Sequence, residues 1–482
     1  MTQFPVAGKR VAVAGAAVSG LAVARVMLDR GARVVIVDAR DDDPIRDAVA
    51  ALVGAGAEAR LGDADSPVDA DLVVTSPGWR PDQPMLAAAA RSGIEVIGEP
   101  ELAWRLRPSG PRGAPPPWVA ITGTNGKTTT VGMVESILRA AGYRAVAAGN
   151  VGRPLIEVVL DPDPYDVIAV ELSSFQLHWS SELAPEVGVV LNIAEDHLDW
   201  HGSMAAYAAA KAAVWRYGGC APYNADDPLV TRLALAALDD PHPFTTSEPV
   251  PGGFGIVDGA VVDAMSGWAP ETEPEPERLG AGFRLVDVRE LAVAGPHNVA
   301  NAVAAAAAAR VLGLVRPVPW PAVREGLLAF RPGRHRNEVV AQAGGVTWVD
   351  DSKATNPHAA AASLAAYPSV VWIAGGLLKG ADVAPLVADH AGRLRGAVLI
   401  GRDRAEIAQA LARHAPDVPV VTVETQDTSG MDEAVRAASE LAQEGDTVLL
   451  APAAASMDMF RDYADRGDKF AEAVRRVAEL LK

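Results

Sequence analysis

Thr122-Gly-Thr-Asn-Gly-Lys-Thr-Thr129 joins an apolar, β-prone run, Trp118–Thr122, to a stretch with helical spacing marked by Val131, Val134, Ile137 and Leu138. A buried strand, a glycine-rich loop and a helix start therefore fall in order, with a lysine at the turn. Backbone N–H groups of such a loop converge on one point, and the helix dipole favours negative charge there. Lys127 can reach terminal phosphates, and the Thr128 hydroxyl can ligate Mg²⁺. This reading predicts ATP or GTP binding through Gly123, Thr124, Asn125, Gly126, Lys127, Thr128 and Thr129. The loop is not a standard G-x-x-x-x-G-K-[ST] pattern, because Ile121 stands where its first glycine belongs.

Around this loop the chain reads as α/β throughout. Strands are expected at Arg10–Gly15, Arg33–Asp38, Leu72–Thr75 and Glu95–Ile97, with a helix over Val18–Arg30, which predicts a parallel sheet. The Pro-rich stretch 107–117 breaks all periodicity and predicts a domain boundary. A second block begins at Trp118 and continues through strands at Val167–Glu171 and Val187–Asn192. Residues 240–290 carry short β-like pieces, and Pro270–Glu277 is expected to be an exposed acidic loop. Helices are expected at Pro296–Leu312 and Trp320–Phe330, followed by a hinge at Arg331–His335. The last block alternates strands at Val370–Ala374, Ala397–Gly401, Val418–Val423 and Thr447–Ala451 with helices at Pro357–Ala366, Ala405–His414, Asp432–Gln443 and Asp468–Leu481. Three domains follow: 1–108, 116–331 and 332–482.

The chain has 482 residues, 49% of them hydrophobic, enough for large cores. A net charge of −18 argues against a general nucleic-acid binder while leaving room for a local phosphate pocket. Cys220 is the only cysteine, so an intrachain disulfide and a multi-cysteine metal cluster are excluded. The N-terminus leads directly into a strand, and no stretch has the length and apolarity of a signal-peptide core or membrane span. A cytoplasmic enzyme acting as a monomer, with no membrane partner, is the expectation.

Chemistry-bearing residues gather at strand ends. Gly15-Ala-Ala-Val-Ser-Gly20 follows the first strand and opens a helix, and Asp38 ends the second. This is like a dinucleotide fingerprint, but Ala17 stands where the middle glycine would be. The readings are an NAD site, a variant nucleotide site or a structural turn. Thr75-Ser-Pro-Gly78 ends a later strand, where ligands of α/β sheets lie, or is an ordinary turn. Glu171 and His197 each lie just beyond a strand, so both are candidate Mg²⁺ ligands beside the phosphate loop. Lys211 alone reads as a surface lysine of a small-residue helix.

Taken together, the phosphate loop, Glu171-Leu-Ser-Ser-Phe-Gln-Leu177, Asn192–His197 and Lys211 resemble the Mur ligases, ATP-dependent amide ligases of bacterial cell-wall precursor synthesis. The resemblance covers nearly the whole chain, and the family's Gly-Thr-x-Gly-Lys-[Ser/Thr] loop accounts for the missing glycine. Asp350-Asp-Ser-Lys-Ala-Thr-Asn356 and Ala451-Pro-Ala-Ala-Ala-Ser-Met-Asp-Met-Phe460 are most similar to the D-glutamate-adding branch.

The resemblance implies three Rossmann-like or P-loop-like domains, each holding one of UDP-sugar, ATP and amino acid, with closure bringing the reactants together. It implies UDP-N-acetylmuramoyl-L-alanine and D-glutamate as substrates. Catalysis would rest on Lys127, Glu171, His197 and Lys211. Mg²⁺ would be held by Thr128, Glu171, His197 and a carbamylated Lys211. Asn298, Arg336 and Asp351 would contact ATP. Ser19, Gly20, Asp38, Arg40, Ser76, Pro77, Gly78, Asn150, Ser173 and Gln176 would serve the UDP-substrate. His335, Lys353, Thr355, Lys379, Ser456 and Tyr463 would receive D-glutamate, whose two carboxylates suit two lysines. Taken singly, Thr355 and Ser456 also read as helix caps, and Asn150 and Asn298 as turn or cap residues. Three departures from the branch stand out. Ala39 replaces a donor near the uracil, Leu377-Leu378 are bulky before Lys379, and Asp462 would repel substrate carboxylates unless turned away or paired.

Overall fold

Four sheets, each with its hydrophobic residues on the faces that helices cover, organise the computed structural model of the chain. It describes residues 4–110, 113–265, 277–293 and 295–480. The expected acidic loop, up to Pro276, lies outside the described residues. The chain packs as two compact units. One comprises residues 1–193, 197–290 and 302–329. The other comprises residues 194–196, 291–301 and 330–482. The second unit takes up the main chain at Phe330, beside the expected hinge.

The first unit opens with a five-stranded parallel sheet ordered Glu58–Leu61, Arg33–Asp38, Arg10–Ala14, Leu72–Thr75, Glu95–Gly98. Val and Ile fill its central strands because both faces are covered, as parallel sheets require. Chain order reverses across Arg10–Ala14, whose neighbours are the next strand on one side and Leu72–Thr75 on the other. That reversal opens a crevice at the carboxyl ends of Arg10–Ala14 and Leu72–Thr75.

A second parallel sheet runs Ala145–Gly149, Val167–Glu171, Trp118–Thr122, Val187–Val190. The loop after Trp118–Thr122 feeds the helix Lys127–Ala140 through Gly126, whose φ is 85°, in the left-handed region. Residues 107–117 separate two sheets but not two compact units. Helix Glu99–Leu106 fastens the first sheet to the second block through two buried carboxylates. Glu99 accepts the Ile156 N–H at 2.6 Å. Glu101 accepts the N–H groups of Ser181, Glu182 and Leu183 together with Arg105 Nε. One continuous core joins Val13, Met27 and Leu102 to Trp118, Leu155 and Trp215.

A third, mixed sheet runs Cys220–Asn224, Asp240–Phe244, Phe254–Val257, Ala260–Asp263, Gly282–Asp287, Arg278–Leu279. It gathers the β-like pieces expected in residues 240–290 and adds Cys220–Asn224, which was not expected. Helix Trp320–Ala329 packs on the phosphate-loop helix at its closest through Gly326. A Cβ there would lie 2.3 Å from Ile137 Cα. Gly326→Ala gains roughly 1 kcal/mol of helix propensity but forces these backbones apart. A net loss of about 2 kcal/mol is expected, read as a lowered urea midpoint. An unchanged midpoint would show that the helices part freely.

The second unit holds a six-stranded sheet ordered Glu338–Ala343, Val346–Asp350, Thr447–Leu450, Val370–Gly375, Leu394–Ile400, Val420–Thr422, parallel except at its first strand. Two cores cover its faces, one around Trp372, Leu399 and Leu449, the other around Trp348, Val398 and Phe470. The last helix, Tyr463–Leu480, starts five residues before its expected position. No described helix is long and apolar enough to cross a membrane.

Candidate functional site

In the first unit the strand-end residues converge on the phosphate loop. Thr128 Oγ1 donates to Glu171 Oε2 at 2.6 Å, and Asn150 Nδ2 donates to Glu171 Oε1 at 2.9 Å. Glu171, only 3% exposed, is therefore held between two donors, one at each carboxylate oxygen. Gly149 makes this possible: a Cβ there would meet the Glu171 carbonyl oxygen at 2.3 Å. Lys127 lies over the loop, Nζ at 2.9 Å from the carbonyl oxygens of Gly123 and Thr124. The loop itself is pinned by Asn192, which accepts the Asn125 N–H at 2.9 Å and donates to its carbonyl at 3.1 Å.

Lys211 is 2% exposed and donates to the Gly123 carbonyl at 2.7 Å. It thus belongs to the loop and not to the solvent. One turn earlier on helix Met204–Ala212, on the same face, Tyr207 bonds Thr124 Oγ1 at 3.0 Å. Its ring lies 4.6 Å from Lys211 Nζ and 6.5 Å from the His197 ring. His197 adopts a left-handed φ of 53° and packs 4.8 Å from Phe175. His201 bonds Ser174 Oγ at 2.9 Å, and burial with neighbouring His178, His197 and Lys211 pulls its pKa down to about 4. It is a neutral wall of the site. Ser173 and Gln176 form a capping box for helix Ser174–His178. Their side chains are engaged with each other, with Gln176 3% exposed.

The crevice of the first sheet is built from the predicted glycine loop. Gly20 must be glycine, since a Cβ would lie 1.8 Å from the Gly15 carbonyl oxygen. Ala17 starts the helix at Val18 with an extended φ of −91°, so this position needs no glycine. Asp38 accepts the Ala16 N–H at 2.8 Å and the Arg40 N–H at 2.9 Å, with Arg40 Nε at 3.2 Å. Burial raises its pKa, but Arg40 and the two amides outweigh burial and hold it below the ordinary value. Ser19 is half-buried at the helix start, and Arg40 is exposed beside Asp38. Ser76 Oγ, at the end of Leu72–Thr75, is buried without a hydrogen-bond partner. An orphaned hydroxyl at a sheet's switch point marks a place for a ligand's polar group. Pro77 and Gly78 continue the same turn toward solvent.

The second unit carries the remaining residues. Helix Pro296–Leu312 begins beside Asn298, 8% exposed, which accepts from Asn301 at 3.2 Å. His335 has a left-handed φ of 64° and is 2.7 Å from Asp350 through Nδ1. That hydrogen bond raises its pKa above the ordinary 6.5. Its carbonyl accepts the Lys353 N–H at 3.2 Å, tying two predicted residues together. Lys353 Nζ sits 3.8 Å from the Tyr463 ring centroid, a cation–π contact. Asp351 accepts from Ser363 and the Asn337 N–H, and burial lifts its pKa to about 6. Arg336, partly exposed, contributes a favourable charge to it.

Two capping readings are corrected. Asn356, not Thr355, caps helix Pro357–Ala365, accepting the Ala359 N–H at 2.8 Å. Asp462, not Ser456, accepts from the first turn of Tyr463–Leu480, at the N–H groups of Ala464 and Asp465. The Asp462 charge is thereby engaged by its own helix. Ser456 is 4% exposed in the preceding loop. Leu378 is absorbed by the core, and Leu377 bridges Ala455 through backbone bonds of 2.8 and 2.9 Å. Lys379 follows, exposed, with φ 54°.

Sequence reasoning missed Arg466. It is 1% exposed and donates to Ser352 Oγ at 2.9 Å, the Ser352 carbonyl at 2.8 Å and the Ala454 carbonyl at 3.0 Å. It binds the loops that carry Lys353 and Ser456. An arginine one turn into an amphipathic helix gives no signal of this.

The His335–Asp350 pair has a pH signature. A histidine whose folded pKa is raised contributes stability that is full below the unfolded value and is lost as pH rises through the folded value. The stability advantage of the protein over His335→Gln should therefore be full below the ordinary histidine value of 6.5 and shrink as pH rises above it. Unfolding midpoints of both forms below and above that value check it, and a constant difference would contradict it.

Comparisons with known proteins bear on these residues. Three family descriptions match successive segments: "Mur ligase MurD-like, N-terminal domain" at residues 9–98, "Mur ligase middle domain" at 121–249, and "Mur ligase, glutamate ligase domain" at 335–454. A protein of Thermobifida fusca named UDP-N-acetylmuramoylalanine–D-glutamate ligase is 54% identical over 477 residues, covering 98% of this chain and 99% of the relative. A Streptomyces avermitilis protein of the same name is 53% identical over 474 residues, covering 97% and 98%. Among solved structures, UDP-N-acetylmuramate–alanine ligase of Thermotoga maritima shares the fold with a TM-score of 0.58 at 19% identity, covering 97% of this chain and 100% of that one.

Proposed function

The chain belongs to the Mur ligase family, and from that premise we propose how its residues divide the work of one ligation. It is an ATP-dependent ligase that adds D-glutamate to UDP-N-acetylmuramoyl-L-alanine in peptidoglycan precursor synthesis. The observation that carries the residue assignment is the convergence of Thr128, Glu171, Lys127 and Lys211 on one glycine loop.

Three domains, 1–108, 116–331 and 332–482, hold UDP-sugar, ATP and amino acid in turn. The alanyl carboxylate attacks the γ-phosphorus of ATP, giving an acyl phosphate and ADP. The amine of D-glutamate then attacks the acyl carbon, and the tetrahedral intermediate collapses to amide and inorganic phosphate. Lys127 offsets charge on the transferring phosphoryl group, and the loop N–H groups orient it. Thr128 and Glu171 offer hard oxygen donors, a set that fits Mg²⁺. That ion supplies charge neutralisation on phosphate oxygens.

Lys211 as an ammonium cannot ligate a metal. Its neutral Nζ attacking CO₂ gives a carbamate and a proton, turning the side chain into an anionic oxygen donor. The remaining N–H can still donate to the Gly123 carbonyl. His197, across the Tyr207 ring, would join it at a second Mg²⁺. The first-sheet crevice with Ser19, Gly20, Asp38, Arg40 and Ser76 receives the UDP moiety. His335, Lys353, Lys379 and Ser456 receive D-glutamate, with Tyr463 holding Lys353 in place. The enzyme works as a cytoplasmic monomer.

Oxygen-18 placed in the alanyl carboxylate tests the chemistry. One labelled oxygen should appear in inorganic phosphate, dependent on D-glutamate. Unlabelled phosphate formed alongside amide product would contradict the acyl-phosphate step.

A further inference from the structure

Cys220, Asp240 and His242 lie on two neighbouring parallel strands of the third sheet, and none of them is among the side chains gathered on the phosphate loop. Cys220 pairs with Asp240 in register, and His242 follows two residues along the same strand. Asp240 and His242 therefore project from one face of the sheet. His242 Nε2 is 3.1 Å from Cys220 Sγ and 3.4 Å from Asp240 Oδ2. All three donor atoms fall within 4.8 Å of one another.

From this convergence we infer that Cys220, Asp240 and His242 form a binding site for one zinc-class divalent cation, distinct from the ATP and Mg²⁺ machinery. Three observations carry it. First, the histidine tautomer is set. Nδ1 lies 2.8 Å from the Gly252 carbonyl oxygen, which can only accept, so Nδ1 carries the proton. In the neutral ring the Nε2 lone pair then faces the thiol and the carboxylate. Such a carbonyl-fixed imidazole is the usual support of a metal-bound histidine.

Second, the spacing suits a tetrahedral ion. Zn–N and Zn–O bonds of about 2.0–2.1 Å and a Zn–S bond of about 2.3 Å separate donors by roughly 3.4 Å for N and O and 3.6 Å for N and S. The nitrogen–oxygen separation already matches, and the nitrogen–sulfur one needs a small opening. A thiolate with an imidazole selects zinc over Mg²⁺ or Ca²⁺. The Asp240 side chain is 67% exposed, so water can enter and take the fourth position.

Third, the strands need a fastener. Cys220-Ala-Pro-Tyr-Asn224 and Asp240-Pro-His-Pro-Phe244 contain three prolines, each lacking a ladder N–H. Asp240–Phe244 pairs in register with its other neighbour strand at Phe244–Phe254 alone. A metal clip between Cys220 and the Asp240–His242 segment would secure an edge that hydrogen bonds leave weak. On binding, the Cys220 S–H bond breaks, the S–metal bond forms, and the proton leaves to solvent.

The test uses the full-length chain after chelator treatment, with Zn²⁺ and Co²⁺ as probes. Because Cys220 is the only cysteine, a thiolate-to-cobalt absorption band can arise only there. We expect one such band at one Co²⁺ per chain, and protection of the thiol from a thiol-specific reagent by Zn²⁺. Cys220→Ser should lose the band, and His242→Ala should weaken it severely, both retaining Mg²⁺-dependent ligase activity as proof of folding. Equal labelling of wild-type Cys220 with and without Zn²⁺ overturns the site. Cobalt uptake without a thiolate band overturns it too, since that leaves adventitious binding or the Mg²⁺ positions only.

Discussion

Lys127→Ala is expected to lower kcat for ligation by about 100- to 1,000-fold, the cost of removing one preorganised charge from a transition state. The side chain stands at the first turn of the phosphate-loop helix with its ammonium 2.9 Å from two loop carbonyls. Those carbonyls hold the charge at the mouth of the loop, so γ-phosphate oxygens meet a donor that is already placed. An arginine should not substitute well. Its planar fork is bulkier, and it cannot be capped by the same two carbonyls in the same way. The effect should fall on kcat more than on KM for ATP, because the loop amides and the helix start remain. A raised KM with kcat unchanged would point to ground-state binding alone. Wild-type turnover in the alanine variant would remove Lys127 from the mechanism.

Lys211→Ala is expected to cost at least about 100-fold in kcat, and short carboxylates added to the assay should restore part of it. The argument begins with burial. A lysine 2% exposed, tied to the Gly123 carbonyl and lying on the Tyr207 ring, is no surface solubiliser. Alanine at this position removes the carbamate oxygens and leaves a space that a small carboxylate can enter. A structural lysine would respond differently, with the loss persisting at every carboxylate concentration. Full activity of Lys211→Ala without any additive would exclude the carbamate role.

The strands that carry the site were readable because each is a short Val/Ile-rich run ending in a residue out of keeping with it, such as Gly123, Glu171 or Asp38. Helix bounds held where a proline opens a run of good helix formers, as at Pro296–Leu312. What stayed hidden depends on contacts distant in sequence. Tyr207 stood in view four residues before Lys211, but its hydroxyl partner, Thr124, is 83 positions away. Asn192 ended an apolar run without any sign that it would clamp Asn125. Ser173 and Gln176 fit a capping box by spacing alone, a local signal that the family resemblance overshadowed. The strands at Cys220–Asn224 and Asp240–Phe244 contain prolines and no alternation, so no periodicity announces them. Asp462 was expected beside the substrate carboxylates because the family resemblance places its position at the amino-acid pocket. Once the helix begins at Tyr463, the same aspartate becomes its capping acceptor.

The central claim is that this chain joins D-glutamate to a UDP-linked N-acetylmuramoyl-L-alanine at the expense of ATP. The most direct measurement is phosphate release from ATP with UDP-N-acetylmuramoyl-L-alanine, Mg²⁺ and a panel of D- and L-amino acids, with product mass recorded. Release with D-glutamate alone, and a product heavier by one glutamyl unit, is the expected result. Release with a different amino acid and not with D-glutamate, or none with any member of the panel, would contradict it.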